Sequence, residues 1–385
     1  MKFYRQNCFY FKTDQPCSFH KKNIKILCEN CEFYIPVNKK ILIIKLAALG
    51  DVLRTTSILK PLNKKYKNSK FFWITSNEAV EIFQNNPYIS EVIPYCEVFN
   101  YFGKDFDILI NLDLEQKALE LTKKFNFRFK YGFYLNQDWE VVCSNKAAQE
   151  WFDISHNDLL KKQNRKTYQE YLMEILEFKN LKPSNYPIIL KLSKDEKKFA
   201  YEFLKSNGCN LKDTFIGINL GSGDRWRKKE YPINKTVQLI KLLIDYFNNK
   251  KNIKILLFGG KKEFNRNLEI MNSLKNNRFY CEKVLDTGTN NTLRQFFSLI
   301  NVCDLLIASD TLALHVGLAL NKKVIALFGP TSFNEIEMYG LGEKVVTPKK
   351  CKVCYRRICN KTPDCMELIS VKEIFNKVLK LINKK

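Results

Sequence analysis

No run of residues in this chain is long and apolar enough to cross a membrane, because the most apolar stretch, 302–328, is interrupted by Asp304, Asp310, His315 and Lys322. The opening residues, MKFYRQNCFYFKTDQPC, hold neither a continuous apolar core nor a small-residue cleavage site, so no secretory signal is expected. Together these absences make the expected location cytoplasmic. No long segment is without aromatic or branched apolar residues, which argues against extended disorder. No internal repeat of short period is visible. Acidic residues are the scarce charge, 40 against 64 Lys and Arg, giving a net charge of +24. Such an excess points to an anionic partner: nucleic acid, a phosphate-bearing substrate, or the acidic inner leaflet of a membrane. It fits equally well a low-GC genome whose codons favour Lys, Asn, Ile and Phe. The basic residues are scattered, no helix-like stretch carries a dense basic stripe, and nothing resembles a base-reading motif. A zinc-containing nucleic-acid-binding protein therefore remains only as an alternative of a different class.

What is present supports two packed cores. The 385 residues are 45% hydrophobic, a length that suits two domains of roughly 150 to 200 residues. Residues 41–46 form a continuous apolar run, suited to a strand buried on both faces. The run ends in the small residues 47–50, and a helix is expected from about Asp51, with Val52, Thr55, Thr56, Leu59 and Leu62 on its period. Further strands are expected over 71–75 and 108–112. Residues 126–193 read as more polar and irregular, with one helix around 166–177 and a linker near Pro183 and Pro187. A second series follows: strand and glycine turn in TFIGINLGSG, helix 233–246, strand and turn in IKILLFGG, and a helix from about Lys262. Helix 293–300, strand DLLIAS, helix 311–320, strand KVIALFG and helix 370–382 complete it. Alternating strands and helices indicate parallel βαβ units, whose ligands bind beyond the carboxyl ends of the strands.

Three stretches carry chemistry. In LLIASDTLALHVGLALNKKVIALFGPT, Ser309 and Asp310 end a strand, a helix starts at Thr311, His315 lies one turn in, and the next strand closes on Gly329. A helix N-terminus is an anion site suited to a pyrophosphate. The plainer alternative is that Asp310 caps the helix and His315 is an interior histidine. In GSGDRWRKKEYP, Gly221, Ser222 and Gly223 follow a strand where backbone amides can approach phosphate, and Lys229 precedes Tyr231 and Pro232. Arg225, Arg227 and Lys228 lie in the same stretch and leave the register of the cation open. In IIKLAALGDVLRTT, Asp51 sits in the first strand-to-helix turn, as a catalytic base or as a helix cap.

These three stretches, in this order over residues 40–345, resemble glycosyltransferase family 9, the ADP-heptose:lipopolysaccharide heptosyltransferases. The resemblance implies a GT-B fold: two doubly wound Rossmann-like α/β domains facing across a cleft. With it, residues 39–190 are expected to form the acceptor-side domain and 191–385 the nucleotide-sugar domain; residues 1–38, rich in cysteine and aromatics and of little periodicity, read as a separate module before them. It implies inverting transfer of heptose from ADP-heptose to a lipopolysaccharide core or related surface glycan, without a catalytic metal. Asp51 matches the family's base, Lys229 its phosphate-binding lysine, and Asp310, Thr311 and His315 its donor site, with Gly221, Ser222 and Gly329 in the adjoining turns. The family often has glycine two residues after the aspartate, where this chain has Leu312. Within the enzyme class the alternative is a protein O-heptosyltransferase acting on surface proteins. The expected partners are an ADP-sugar donor and a glycolipid or glycan acceptor, met peripherally at the inner membrane, with no nucleic acid.

Eight of the thirteen cysteines fall in two clusters, with Cys96, Cys143, Cys209, Cys281 and Cys303 isolated. Cys8, Cys17, His20, Cys28 and Cys31 offer five potential ligands, including a Cys-x2-His and a Cys-x2-Cys pair. Cys351, Cys354, Cys359 and Cys365 form the second set. In a reducing compartment such clusters suggest structural zinc, with iron as the second choice and unliganded thiols as the plain alternative.

Overall fold

The computed structural model describes residues 4–12, 14–223 and 227–383, so Arg225 with its two neighbours lies outside the described residues. Two six-stranded sheets organise the chain. The first comprises β1 (Lys40–Ile44), β2 (Lys70–Thr75), β3 (Glu91–Pro94), β4 (Asp105–Asn111), β5 (Asn126–Leu135) and β6 (Val141–Cys143), in the order β3-β2-β1-β4-β5-β6. All its pairings are parallel except β5 with β6. The second comprises β7 (Thr214–Asn219), β8 (Ile253–Leu257), β9 (Val284–Asp286), β10 (Leu305–Ser309), β11 (Lys323–Phe328) and β12 (Gly342–Val346). Its order is β12-β11-β10-β7-β8-β9, parallel throughout. Each half thus repeats one doubly wound order, with a switch point between its first and fourth strands.

The strands form where the sequence has uninterrupted branched apolar residues. In β1, Ile41, Leu42, Ile43 and Ile44 are all buried, because helices cover both faces of a parallel sheet. The helices start where side chains satisfy their free amides. Ser193 with Glu196, Thr167 with Glu170, and Thr292 with Gln295 form capping boxes at the heads of Lys194–Ser206, Tyr168–Ile175 and Leu293–Asn301.

The halves share one continuous core, in which Ile43 and Trp73 belong to the same cluster as Leu306 and Phe328. Arg294 stitches them together: it donates to both Glu196 carboxylate oxygens, at 2.6 and 2.8 Å, and to the Glu81 carbonyl at 3.2 Å. The N-terminal residues fold back on themselves through Phe9 N–H to the Ile35 carbonyl and Val37 N–H to the Asn7 carbonyl. Among the described residues, no helix is long and apolar enough to cross a membrane.

The segment 126–193 departs from expectation. It holds the ten-residue strand β5, the antiparallel β6, and the helices Lys146–His156 and Asp158–Gln163 before the expected helix at Tyr168–Ile175. The reason is visible in the strand itself, where Arg128, Phe129 and Lys130 are exposed and the apolar alternation is broken.

Candidate active site

The carboxyl ends of β1 and β4 face the turns that follow β7 and β10 across a cleft of about 740 Å³. Lys45, Gly50, Asp51, Arg54 and Asp113 line it from the first sheet, and Ser222, Lys229, Asp310, Thr311, Leu312 and His315 from the second. Both switch points therefore open into one space, where the topology concentrates helix starts and strand ends.

Asp51 is the third residue of the helix Leu49–Thr55, whose N-cap is Ala48, so Asp51 does not cap it. Its carboxylate remains 40% exposed to the cleft and pairs with Arg54 at 2.9 Å. Burial would raise its pKa, but Arg54, Lys45 and His315 outweigh that and hold it below the usual carboxylate range. Asp51 is thus ionised at neutral pH and reachable from the cleft. Arg54 is itself buried, with its guanidinium 4.0 Å from the centre of the Tyr168 ring. Beneath the turn, Asp113 accepts from Leu46 N–H at 2.9 Å and pairs with Lys45 at 3.1 Å, fixing the end of β1.

On the opposite wall, Lys229 donates to the Asp310 carboxylate at 3.0 Å and to its carbonyl at 2.9 Å. Burial would raise the Asp310 pKa, yet Lys229 and His315 hold it down at about 2. Asp310 is not the helix cap either: Thr311 occupies the N-cap of Leu312–Ala319 and makes no side-chain capping bond. Its hydroxyl turns instead to Asn219 Oδ1 at 3.2 Å and the Ser309 carbonyl at 3.3 Å. Thr311 thus leaves the amides at this helix start uncapped by its side chain, the arrangement that favours an anion. His315 is buried, and burial followed by the nearby Arg54 charge pulls it down to about 4, so it is neutral at pH 7. A Cβ on Gly50 would stand 2.9 Å from His315 Cδ2, so the glycine lets the two domains' helices approach this closely.

The glycine turns behave differently from expectation. Gly221 and Gly329 do not line the cleft. A Cβ on Gly221 would meet Glu263 Cγ at 2.4 Å, and one on Gly329 would meet Cys365 Sγ and Met366 Sδ at 2.7 Å. Both are glycines because of close packing. The Gly223 amide, expected to approach phosphate, donates to Glu263 Oε1 at 2.7 Å, while Glu263 Oε2 accepts from Gly260 N–H at 2.8 Å. Glu263, Arg54, Glu335 and Tyr355 were not singled out from sequence. A lone acid after GGKK and an irregular stretch after GPT give no periodic signal.

The expected metal centres are not assembled. Cys8, Cys17, His20, Cys28 and Cys31 line a common hollow of about 630 Å³ in the N-terminal segment. Among the described residues, however, no three His, Cys, Asp or Glu side chains are grouped so as to hold an ion. His20 Nδ1 is engaged with the Ile26 carbonyl at 2.9 Å. At the other cluster, Cys365 packs under Gly329, and burial pushes its thiol up to about 11. Cys351, Cys354 and Cys359 do not line the cleft.

The model of glycosyltransferase family 9 (heptosyltransferase) matches residues 103–363. The match begins beyond β1, so the turn holding Asp51 lies outside it. Lipooligosaccharide heptosyltransferase 2 of Campylobacter jejuni is 22% identical over 86% of this chain and 96% of its own length. The solved structure of a family 9 glycosyltransferase from Veillonella parvula superposes with a TM-score of 0.72 at 20% identity, over 91% of this chain and 99% of that one. The E. coli ADP-heptose lps heptosyltransferase II gives a TM-score of 0.63 at 18% identity, over 89% and 98%. These neighbours show the shared fold of two facing domains.

Proposed function

Because this chain belongs to glycosyltransferase family 9 and is a glycosyltransferase, we propose that it transfers heptose from ADP-heptose to a lipopolysaccharide core or related surface glycan. The observation that carries the reading is the opposition of Asp51 to Lys229, Asp310 and Thr311 across one cleft. The relatives named for heptosyl transfer, matched along nearly their whole length, support the choice of sugar.

In this reading the ADP diphosphate lies at the start of the Leu312–Ala319 helix, with Lys229 shared between Asp310 and phosphate oxygen. The acceptor hydroxyl attacks the anomeric carbon from the first domain's side and gives its proton to Asp51. The bond from that carbon to the diphosphate oxygen breaks on the opposite face, and its electron pair leaves on ADP. Attack opposite the leaving group inverts the anomeric centre. Lys229 and the helix-start amides take up the charge developing on the diphosphate, the task a divalent ion performs elsewhere. Lys161, which lines the cleft, and the net positive surface suit a phosphorylated glycolipid met at the inner face of the membrane.

Calorimetric titration with ADP, UDP, GDP and CMP tests the donor side. Selective binding of ADP is expected. Preference for another nucleotide would overturn the assignment of donor, and binding of none would overturn the location of the nucleotide in this cleft.

A further inference from the structure

A group of polar atoms on the second domain's wall takes part in none of these steps. Ser332 and Glu335 follow β11 and line the cleft, though they are only 2% and 9% exposed. The Ser332 hydroxyl has no hydrogen-bond partner among the described residues. Glu335 Oε1 accepts from the Tyr355 hydroxyl at 3.1 Å, and that hydroxyl accepts from Ser332 N–H at 3.1 Å. No described donor other than Tyr355 reaches the Glu335 carboxylate, and the nearby Arg54 pairs with Asp51 instead. A buried carboxyl with a single hydrogen-bond donor, beside a buried hydroxyl without a partner, is costly unless a ligand completes the bonding.

Position says which part of a ligand that is. Glu335 lines the same cleft as Asp51 and Asp310, the two ends of the reaction path, and feels the charge of Arg54 as well as of these two carboxylates. A glycosyl ring that joins a diphosphate at Asp310 to an attacking hydroxyl at Asp51 passes beside it. We propose that Glu335 and Ser332 form a subsite that reads the hydroxyl groups of the donor's sugar ring, with Tyr355 as the positioning residue. This rests on the transferase reading above.

The chemistry suits a polyol. A sugar hydroxyl donates to the carboxylate, and the serine hydroxyl donates to or accepts from a neighbouring one. A site built to bond a hydroxyl discriminates strongly, because a ligand lacking it leaves buried polar groups unpaired. The anchoring is local: Tyr355 N–H donates to the Pro330 carbonyl at 2.9 Å and Val353 N–H to the Gly329 carbonyl at 3.3 Å. The loop 351–365 is thereby pinned to the turn that carries Ser332, which gives the cysteine-bearing loop a part in shaping the cleft.

The test compares ADP with ADP-heptose by calorimetry on the full chain, in wild type, Glu335→Gln and Ser332→Ala, with Tm followed in each. Wild type should bind ADP-heptose more tightly than ADP. Glu335→Gln, whose amide oxygen still accepts from Tyr355, should weaken ADP-heptose about tenfold or more and leave ADP nearly unchanged. Ser332→Ala should act in the same direction. If both variants keep the wild-type preference for ADP-heptose, the subsite is wrong. Equal loss of ADP and ADP-heptose would also overturn it, since Glu335 would then serve the nucleotide or the fold. Wild type that binds ADP-heptose no better than ADP would instead remove the donor reading on which the subsite rests.

Discussion

At the scale of single residues, the charges in the cleft are arranged as pairs: Lys45 with Asp113, Arg54 with Asp51, Lys229 with Asp310. His315 sits among them uncharged. Its folded value of about 4 lies below the ordinary 6.5. Between these values the unfolded chain binds a proton that the folded chain does not, so stability falls as pH drops from 6.5 to 4. The full effect is about 3 kcal/mol. Replacing His315 by Gln should flatten the dependence of Tm on pH across that window, measured by scanning calorimetry between pH 4 and 7. An unchanged slope would mean that His315 does not remain neutral. Asp51 and Asp310 were legible in sequence because each adjoins a strand-to-helix turn beside an apolar run, whereas Lys229 was picked out by the family resemblance, with Arg225, Arg227 and Lys228 beside it. Glu335, Ser332 and Arg54 were not, because what brings them to the cleft is contact between residues far apart in the chain.

At the scale of elements, the parallel strands were legible and the antiparallel margin was not. Runs such as KILII and LLIAS are apolar throughout because helices cover both faces. By contrast, β5 mixes Arg128 and Lys130 with Phe127 and Phe129, and the neighbouring helices bury one face only. The residues of that region, Trp151, His156 and Lys161 among them, nonetheless form one wall of the cleft. The approach of Leu49–Thr55 to Leu312–Ala319 depends on Gly50. A methyl group there would come within 2.9 Å of a buried ring and force the helices apart. Gly50→Ala should lower stability by about 1–3 kcal/mol, read from urea unfolding, and reduce transfer in parallel. Wild-type stability in this variant would show that the two helices are not held this close.

At the scale of the molecule, the sequence anticipates two doubly wound halves and a cleft between them, and the repeated strand order explains why both switch points meet there. The net charge of +24 was a weaker guide. The cleft itself balances Lys45, Arg54, Lys161 and Lys229 against Asp51, Asp113, Glu115, Asp310 and Glu335, so the excess charge lies elsewhere on the surface. The cysteine spacings predict metal centres that the described residues do not assemble, since spacing alone does not fix side-chain direction. The central claim is that Asp51 takes the acceptor's proton in a transfer from ADP-heptose. The direct measurement is the rate of heptose transfer to a heptose-free lipopolysaccharide core by wild type and Asp51→Asn, with ADP-heptose binding measured alongside. The account predicts a fall in kcat of about 10²–10⁴-fold with donor binding retained. Transfer by Asp51→Asn at the wild-type rate would contradict it.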